Sequence, residues 1–120
     1  MQEPTFLILA ALASGPQHGY GIMKVAEQLS GGTRRLQAGT LYAALERLAG
    51  EGLLAADREE VVDARFRRYY RLTDAGAARL TEETARRRSQ AQVVTLRLRA
   101  AGLLARTAPM LTRPSIEGIA

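Results

Sequence analysis

Cysteine and tryptophan are absent from this chain, and histidine occurs once, at His18. Without cysteine there are no disulfides and no thiolate-held zinc or iron–sulfur centres. A lone histidine leaves no multi-His metal site and no His–carboxylate constellation for nucleophilic catalysis. Aromatics are sparse, with Phe6 and Phe66 besides four Tyr, so a stacking platform for flat aromatic ligands is poorly supplied. No apolar run approaches the roughly 18 residues that a membrane span needs. The apolar stretch Phe6–Ala13 is short and lacks a basic leader, which does not fit a signal peptide. The glycines sit at expected helix boundaries and form no phosphate-binding loop. The expectation is a soluble, cytoplasmic protein that is not an enzyme, with no cofactor, no metal and no membrane partner.

What is present is basic. Seventeen Lys and Arg stand against 12 Asp and Glu over 120 residues, a net charge of +5. All the basic residues but Lys24 are Arg, and eight of them fall in residues 73–120 against four acids. A basic balance is compatible with nucleic acid. The Arg bias, beside 21 Ala, fits genomic base composition equally well. Charge alone therefore decides nothing, and the pattern of elements has to carry the reading.

Pro4 near a first turn, followed by Phe6, Leu7, Ile8, Leu9 and Leu12, predicts a short buried helix over Thr5–Ala13 that stops at Ser14-Gly15-Pro16. Ile22, Val25, Ala26 and Leu29 recur at helical spacing and predict a second helix from about His18 to Ser30, closed by Gly31-Gly32. A third begins near Gly39. At 100° per residue Leu41, Ala44, Leu45, Leu48 and Gly52 share one face, while Gly39, Ala43, Glu46, Arg47 and Gly50 hold the opposite face with Thr40 and Tyr42 flanking. Leu53–Val62 and Phe66–Leu72 read as a hairpin with the link Asp63-Ala64-Arg65. Thr73-Asp74 offers an N-cap for a long helix to about Ala105. Ala77, Leu80, Thr84, Ala91, Val94, Leu98, Ala101 and Ala105 form a loose heptad seam, suited to a partner helix.

Three helices, a hairpin and a further helix describe a mainly α (α+β) chain. It divides into a winged helix-turn-helix domain with a two-stranded wing over 1–74, a C-terminal dimerisation helix over 75–105, and an irregular tail over 106–120. The residues in this order resemble the PadR family of bacterial transcriptional regulators, in its short subgroup with one C-terminal helix. Ile8-Leu9-Ala10-Ala11-Leu12 followed by His18-Gly19-Tyr20-Gly21-Ile22 is similar to the family's opening helices. Gly39-Thr40-Leu41-Tyr42-Ala43-Ala44-Leu45-Glu46-Arg47-Leu48, continuing to Glu51-Gly52-Leu53-Leu54, resembles its recognition helix. Arg68-Tyr69-Tyr70-Arg71-Leu72-Thr73-Asp74-Ala75-Gly76 resembles the second wing strand entering the last helix. Ala43 stands where many relatives have Pro, and residues 106–120 match no part of the pattern.

The resemblance implies a homodimer on double-stranded DNA at an operator of inverted symmetry, with repression by promoter occlusion. It implies Tyr20 among the DNA contacts, and Phe6, Leu80, Ala91, Val94, Leu98 and Ala101 in dimerisation. Small residues at Gly39, Ala43 and Gly50 would let the third helix enter a major groove about 12 Å wide. Thr40 offers a hydroxyl and backbone N–H to phosphate at the helix start. Gln37 is the base-edge candidate, since its amide can pair with adenine. Arg34 and Arg35 anchor the backbone, and Arg65 and Arg67 reach phosphate or minor groove from the wing. Tyr42 is either a phosphate donor or a packing residue. Arg47 reaches a guanine edge, a phosphate, or Glu51 at i,i+4. His18 reads as a helix-start residue bonded to backbone, Tyr69 and Tyr70 as strand support, and Arg86-Arg87-Arg88 as a solvated face. Glu59, Glu60 and Asp63 put repulsive acid around the wing. A small-molecule effector between the long helices stays open, and so does the alternative of a winged-helix adaptor that binds protein instead of DNA.

Overall fold

The computed structural model describes residues 1–104; Ala105 of the seam and the 106–120 tail lie outside the described residues. The elements in chain order are α1 (Glu3–Ala11), β1 (Gln17–His18), α2 (Gly19–Leu29), α3 (Ala38–Gly50), β2 (Leu54–Val62), β3 (Arg65–Leu72) and α4 (Asp74–Ala100). Pro4 sits in the first turn of α1, where its missing N–H costs no helical bond. That helix starts two residues earlier than its apolar run suggests and ends at Ala11. Leu12 and Ala13 continue only as turns, donating to Leu9 O and Ala10 O.

The core joins Leu7, Ile8, Leu9 and Leu12 of the first segment to Ile22 and Ala26 of α2 and to Leu41, Leu45 and Leu48 of α3, all within 2% of full burial. Three consecutive buried residues in α1 explain why it is apolar on every side: α1 lies inside, whereas α2 and α3 each bury one stripe. Glu51-Gly52-Leu53 closes α3. Gly52 takes φ 78°, Gly52 N donates to Ala49 O at 3.0 Å and Leu53 N to Leu48 O at 3.0 Å. The same turn buries Leu53, so β2 begins one residue later than the sequence implies.

The sheet has three strands where two were expected, in the order β1–β3–β2 and antiparallel throughout. Gln17 and His18 pair with Tyr70 and Tyr69, which makes β3 the central strand and ties the wing to the entrance of α2. The hairpin link is two residues, Asp63 and Ala64, at φ 51° and 61°, and Arg65 already pairs with Val62. Positive φ at both positions matches a type I′ turn, whose twist suits the strands it joins. Between Ala56 and Glu59 the register shifts, so Asp57 and Arg58 together oppose Tyr69 as a β-bulge.

The chain divides into two compact units, Met1–Glu83 and a second that begins at Thr84. Thr73 starts α4 as expected: its Oγ1 accepts from Gly76 N at 3.0 Å and donates to Gly52 O at 2.6 Å. The second unit holds the later turns of α4. The helix stops at Ala100, short of the expected Ala105, because Gly102 turns left-handed at φ 77° and Leu103 N bonds Leu98 O at 2.9 Å.

Candidate nucleic-acid interface

The segment between α2 and α3 is long but pinned at both ends. Gly31 and Gly32 take φ 70° and 81°, and Gly32 N donates to Glu27 O at 2.9 Å. Ser30 Oγ accepts from Arg34 N at 3.0 Å, Thr33 Oγ1 donates to Ser30 O at 2.7 Å, and the Leu36 side chain is buried. This leaves Arg34, Arg35, Gln37 and Thr40 exposed around one concavity of about 340 Å³ with Pro4 at its side. Gln37 is the N-cap residue of α3, yet its side chain makes no cap bond. Its amide and the first N–H groups of α3 therefore face outward together.

On α3 itself Gly39, Thr40, Tyr42, Ala43, Glu46, Arg47 and Gly50 are all exposed, as the 100° arithmetic requires. A Cβ built on Gly39 or Gly50 would meet nothing within 4 Å. Glycine costs a helix roughly 1 kcal/mol against alanine, and this fold does not itself require that cost at either position.

Beside this face lies a larger cleft of about 650 Å³, lined by His18, Gly19 and Tyr20 of the α2 entrance, Tyr42 of α3, and Arg65, Phe66, Arg67, Arg68 and Tyr70 of β3. Tyr20, Tyr42 and Phe66 are 64, 52 and 63% exposed. So most of the chain's few aromatics gather in one basic cleft, which composition gave no hint of. His18 caps α2 through Nδ1, accepting from Gly21 N at 3.2 Å, and its Nε2 stands 3.4 Å from Arg67 Nη1. Burial, and next the Arg67 charge, hold the imidazole below its ordinary value of 6.5, while Glu60 pulls the other way. His18, Phe66, Arg68 and Tyr70 join the expected Tyr20, Tyr42, Arg65 and Arg67 in this lining. The two-residue strand that brings His18 to β3 is too short to show a period; alternation along the predicted strand already puts Phe66, Arg68, Tyr70 and Leu72 on one face and Arg65, Arg67, Tyr69 and Arg71 on the other, but not which elements those faces meet.

Glu59, Glu60 and Asp57 of the wing are engaged, whereas Asp63 stands exposed in the hairpin turn. Glu59 pairs with Arg68 at 3.0 Å, Glu60 accepts the Tyr69 hydroxyl at 2.7 Å, and Asp57 lies 3.6 Å from Arg71 and 3.4 Å from Arg58. The bulge lays the Arg58 guanidinium over the Tyr69 ring at 3.9 Å. Among the described residues Arg34, Arg35, Arg65 and Arg67 have no carboxylate partner. Tyr69 and Tyr70 act as strand support, Tyr70 by packing against the core. Arg47 takes the last of its three destinations and adds another: Nη1 lies 3.7 Å from Glu51, and Nη2 donates to the buried Thr5 hydroxyl at 2.9 Å. Its guanidinium thus joins α3 to α1.

Of the expected dimerisation residues, Phe6 and Leu80 are half-buried against the core of the first unit. In the second unit Ala91, Val94 and Ala101 are exposed and Leu98 is half-buried, with Val93 and Leu96 also exposed. Ala101 lies past the end of α4.

Among the described residues no helix is long and apolar enough to cross a membrane, and no group of His, Asp and Glu could hold a metal ion. The chain is 43% identical over 76 residues to transcriptional regulator Rv3488 of Mycobacterium tuberculosis, covering 63% of this chain and 67% of that one. It superposes on a PadR family transcriptional regulator from Eggerthella lenta with a TM-score of 0.63 at 32% identity, covering 79% and 80% of the two chains. It also superposes on Bacillus subtilis PadR in complex with operator DNA, with a TM-score of 0.61 at 24% identity; that match covers 69% of this chain and spans about half of the relative, 48%. The transcriptional regulator PadR-like family matches residues 8–82, the stretch from α1 into α4 that supplies all of the lining of both concavities but Pro4, and the chain belongs to that family.

Proposed function

We propose that this protein is a homodimeric DNA-binding repressor that sets α3 in the major groove of an inverted-repeat operator. The observation that carries the reading is the make-up of the outer face of α3 and of the two concavities that Thr40 and Tyr42 of that helix line. The outer face of α3 is small at Gly39, Ala43 and Gly50, and at both glycines the fold itself leaves room for a Cβ. Arg34 and Arg35 line the concavity that holds Thr40, and Arg65 and Arg67 the one that holds Tyr42, without carboxylate partners among the described residues. Such a surface suits close approach of a polyanion. The operator complex of the Bacillus subtilis relative supports bringing the same use to this chain.

In this reading Gln37 and the α3 face meet base edges, while Thr40, Arg34 and Arg35 hold one strand's phosphates. Tyr20, Tyr42, Arg65 and Arg67 hold phosphates across the groove. Arg47 is left out, since Thr5 and Glu51 already engage it. The exposed apolar side chains Val93, Val94 and Leu96, with Leu98, support a second copy meeting this one along α4. A two-fold dimer in turn calls for a palindromic site. A mobility shift on the DNA upstream of its own gene, with the oligomeric state measured by light scattering, tests this. A specific, salt-sensitive complex of two chains per site is expected. A folded dimer that shifts no DNA at low salt overturns DNA binding in favour of a protein partner, and a monomer that binds single half-sites overturns the symmetric arrangement. A variant with Gln37→Ala should change sequence preference, whereas Thr40→Ala should weaken all sites alike.

A further inference from the structure

The two ring nitrogens of His18 have different duties. Nδ1 accepts from the Gly21 N–H at 3.2 Å, so it carries no proton, and in the neutral ring the proton sits on Nε2. Nε2 stands 3.4 Å from Nη1 of Arg67, and a guanidinium has donors only. Two donors from different elements, one at the α2 entrance and one on β3, thus stand 3.4 Å apart at the wall of the large cleft. The nearest carboxylate is committed elsewhere: Glu60 accepts the Tyr69 hydroxyl through Oε1 and holds its Oε2 3.8 Å from Arg58. Tyr69 turns its ring edge-on to the imidazole at 5.2 Å, and this fixes the ring plane. Next to the pair is Gly19, covered by the Tyr42 ring, and Tyr20 and Tyr42 line the same cleft.

We propose that His18, as a neutral Nε2–H donor, and Arg67 together grip one phosphodiester oxygen of the DNA backbone. The proposal rests on the DNA-binding reading above and names a contact within it. An oxyanion can accept from two donors this close at once, where a neutral acceptor would leave the Arg67 charge without a counter-charge. The groups that face the ring are Arg67 and Tyr69 of β3, Glu60 and Arg58 of β2, Tyr20 of α2 and Tyr42 of α3. A bound phosphate would favour protonation of the ring, but the added proton has to go on Nδ1, which would break the Gly21 cap. The contact therefore stays neutral on the histidine side, and above the lowered pKa of the ring its strength does not change with pH.

Wild-type protein, His18→Asn and Arg67→Gln are compared on duplex DNA from the upstream region, with thermal melting of each. Asparagine keeps a side-chain oxygen for the cap but lacks the Nε2–H. His18→Asn should melt close to wild type and bind DNA roughly tenfold more weakly. Its salt dependence should be unchanged, because a neutral donor displaces no counterion. Arg67→Gln should weaken binding and lower the slope of log affinity on log salt by about one. In nitrogen-15 spectra of the wild type, the His18 Nε2–H resonance should shift and sharpen with DNA and stay in place with millimolar inorganic phosphate; it decides alone should His18→Asn fail to fold.

Wild-type binding with an unaffected His18→Asn overturns this contact and leaves the DNA reading standing. So does a histidine-dependent gain in affinity as the pH falls from about 8 to 6, or a resonance moved by free phosphate. A wild type that binds no DNA overturns both.

Discussion

The Tyr42 ring of α3 rests on Gly19 at the first turn of α2. A Cβ at Gly19 would meet the Tyr42 hydroxyl and stand 2.9 Å from Cζ and 3.2 Å from Cε1. This contact sets the spacing between the two helices at the mouth of the cleft, and it settles why a glycine opens a helix at a cost in propensity.

Tyr42 is half exposed, so its ring can swing aside when Gly19 becomes alanine. We expect Gly19→Ala to leave stability within about 1 kcal/mol of wild type, since the helix gains what the displaced ring loses. DNA affinity should fall severalfold, as it should for Tyr42→Phe if the hydroxyl donates to phosphate. Thermal melting and fluorescence anisotropy on the same samples separate the two effects. An undiminished affinity in both variants would make Tyr42 a packing residue.

Gly76 meets the opposite kind of obstacle. A Cβ there would run into the backbone carbonyl of Leu53, with Leu53 C and Leu72 Cδ1 each at 2.9 Å. That carbonyl already accepts from Thr73 N at 3.2 Å and belongs to the turn that buries Leu53. Backbone held this way cannot yield as a tyrosine ring can. Gly76→Ala should therefore destabilise by about 1–3 kcal/mol, by the overpacking range, even though alanine is the better helix former. Urea denaturation measures it; a stabilised Gly76→Ala would mean the junction of the wing and α4 is looser than its hydrogen bonds imply.

These two glycines also mark how far the sequence could be read. The three helices, the hairpin and the Thr73 cap follow from periodicity and local capping chemistry, because each is decided within a few residues. The third strand does not: Gln17-His18 is two residues long, and only its partners some 50 positions onward make it a strand. The cleft was hidden for the same reason, since His18 and Arg67 come together through that pairing. The sequence allowed Arg47 three destinations and the structure supplied Thr5, a buried hydroxyl on another helix that no spacing rule could connect to it. The outer face of α3 was legible because a helix fixes its own faces.

Arg47→Ala is expected to act on stability and not on DNA. The substitution leaves the buried Thr5 hydroxyl without its donor and unties α1 from α3, a loss of about 1–2 kcal/mol. The ion pair with Glu51 adds little, both partners being half exposed. Affinity for the operator should stay within about twofold once folded protein is matched between samples. A tenfold loss in affinity with unchanged melting would return Arg47 to the DNA surface.

His18 predicts a pH dependence of folding with a definite sign. Its folded pKa lies below the ordinary 6.5, from burial first and the Arg67 charge second, opposed by Glu60. Well above that value both folded and unfolded chains hold a neutral ring and the shift contributes nothing to the pH slope. As the pH falls below about 6.5, the unfolded chain takes the proton first, so stability declines until the folded pKa is passed and then levels off. Protonation of Nδ1 removes the Gly21 cap in the same window. The melting temperature should therefore drop between about pH 6.5 and 5 in the wild type and drop less in His18→Asn, which has no proton to gain there. Carboxylates titrate lower and act on both proteins alike, so the difference between the two melting curves isolates the histidine. A rise in the wild-type curve over that window, absent from His18→Asn, would mean that the folded state prefers the imidazolium and that Nδ1 does not cap α2.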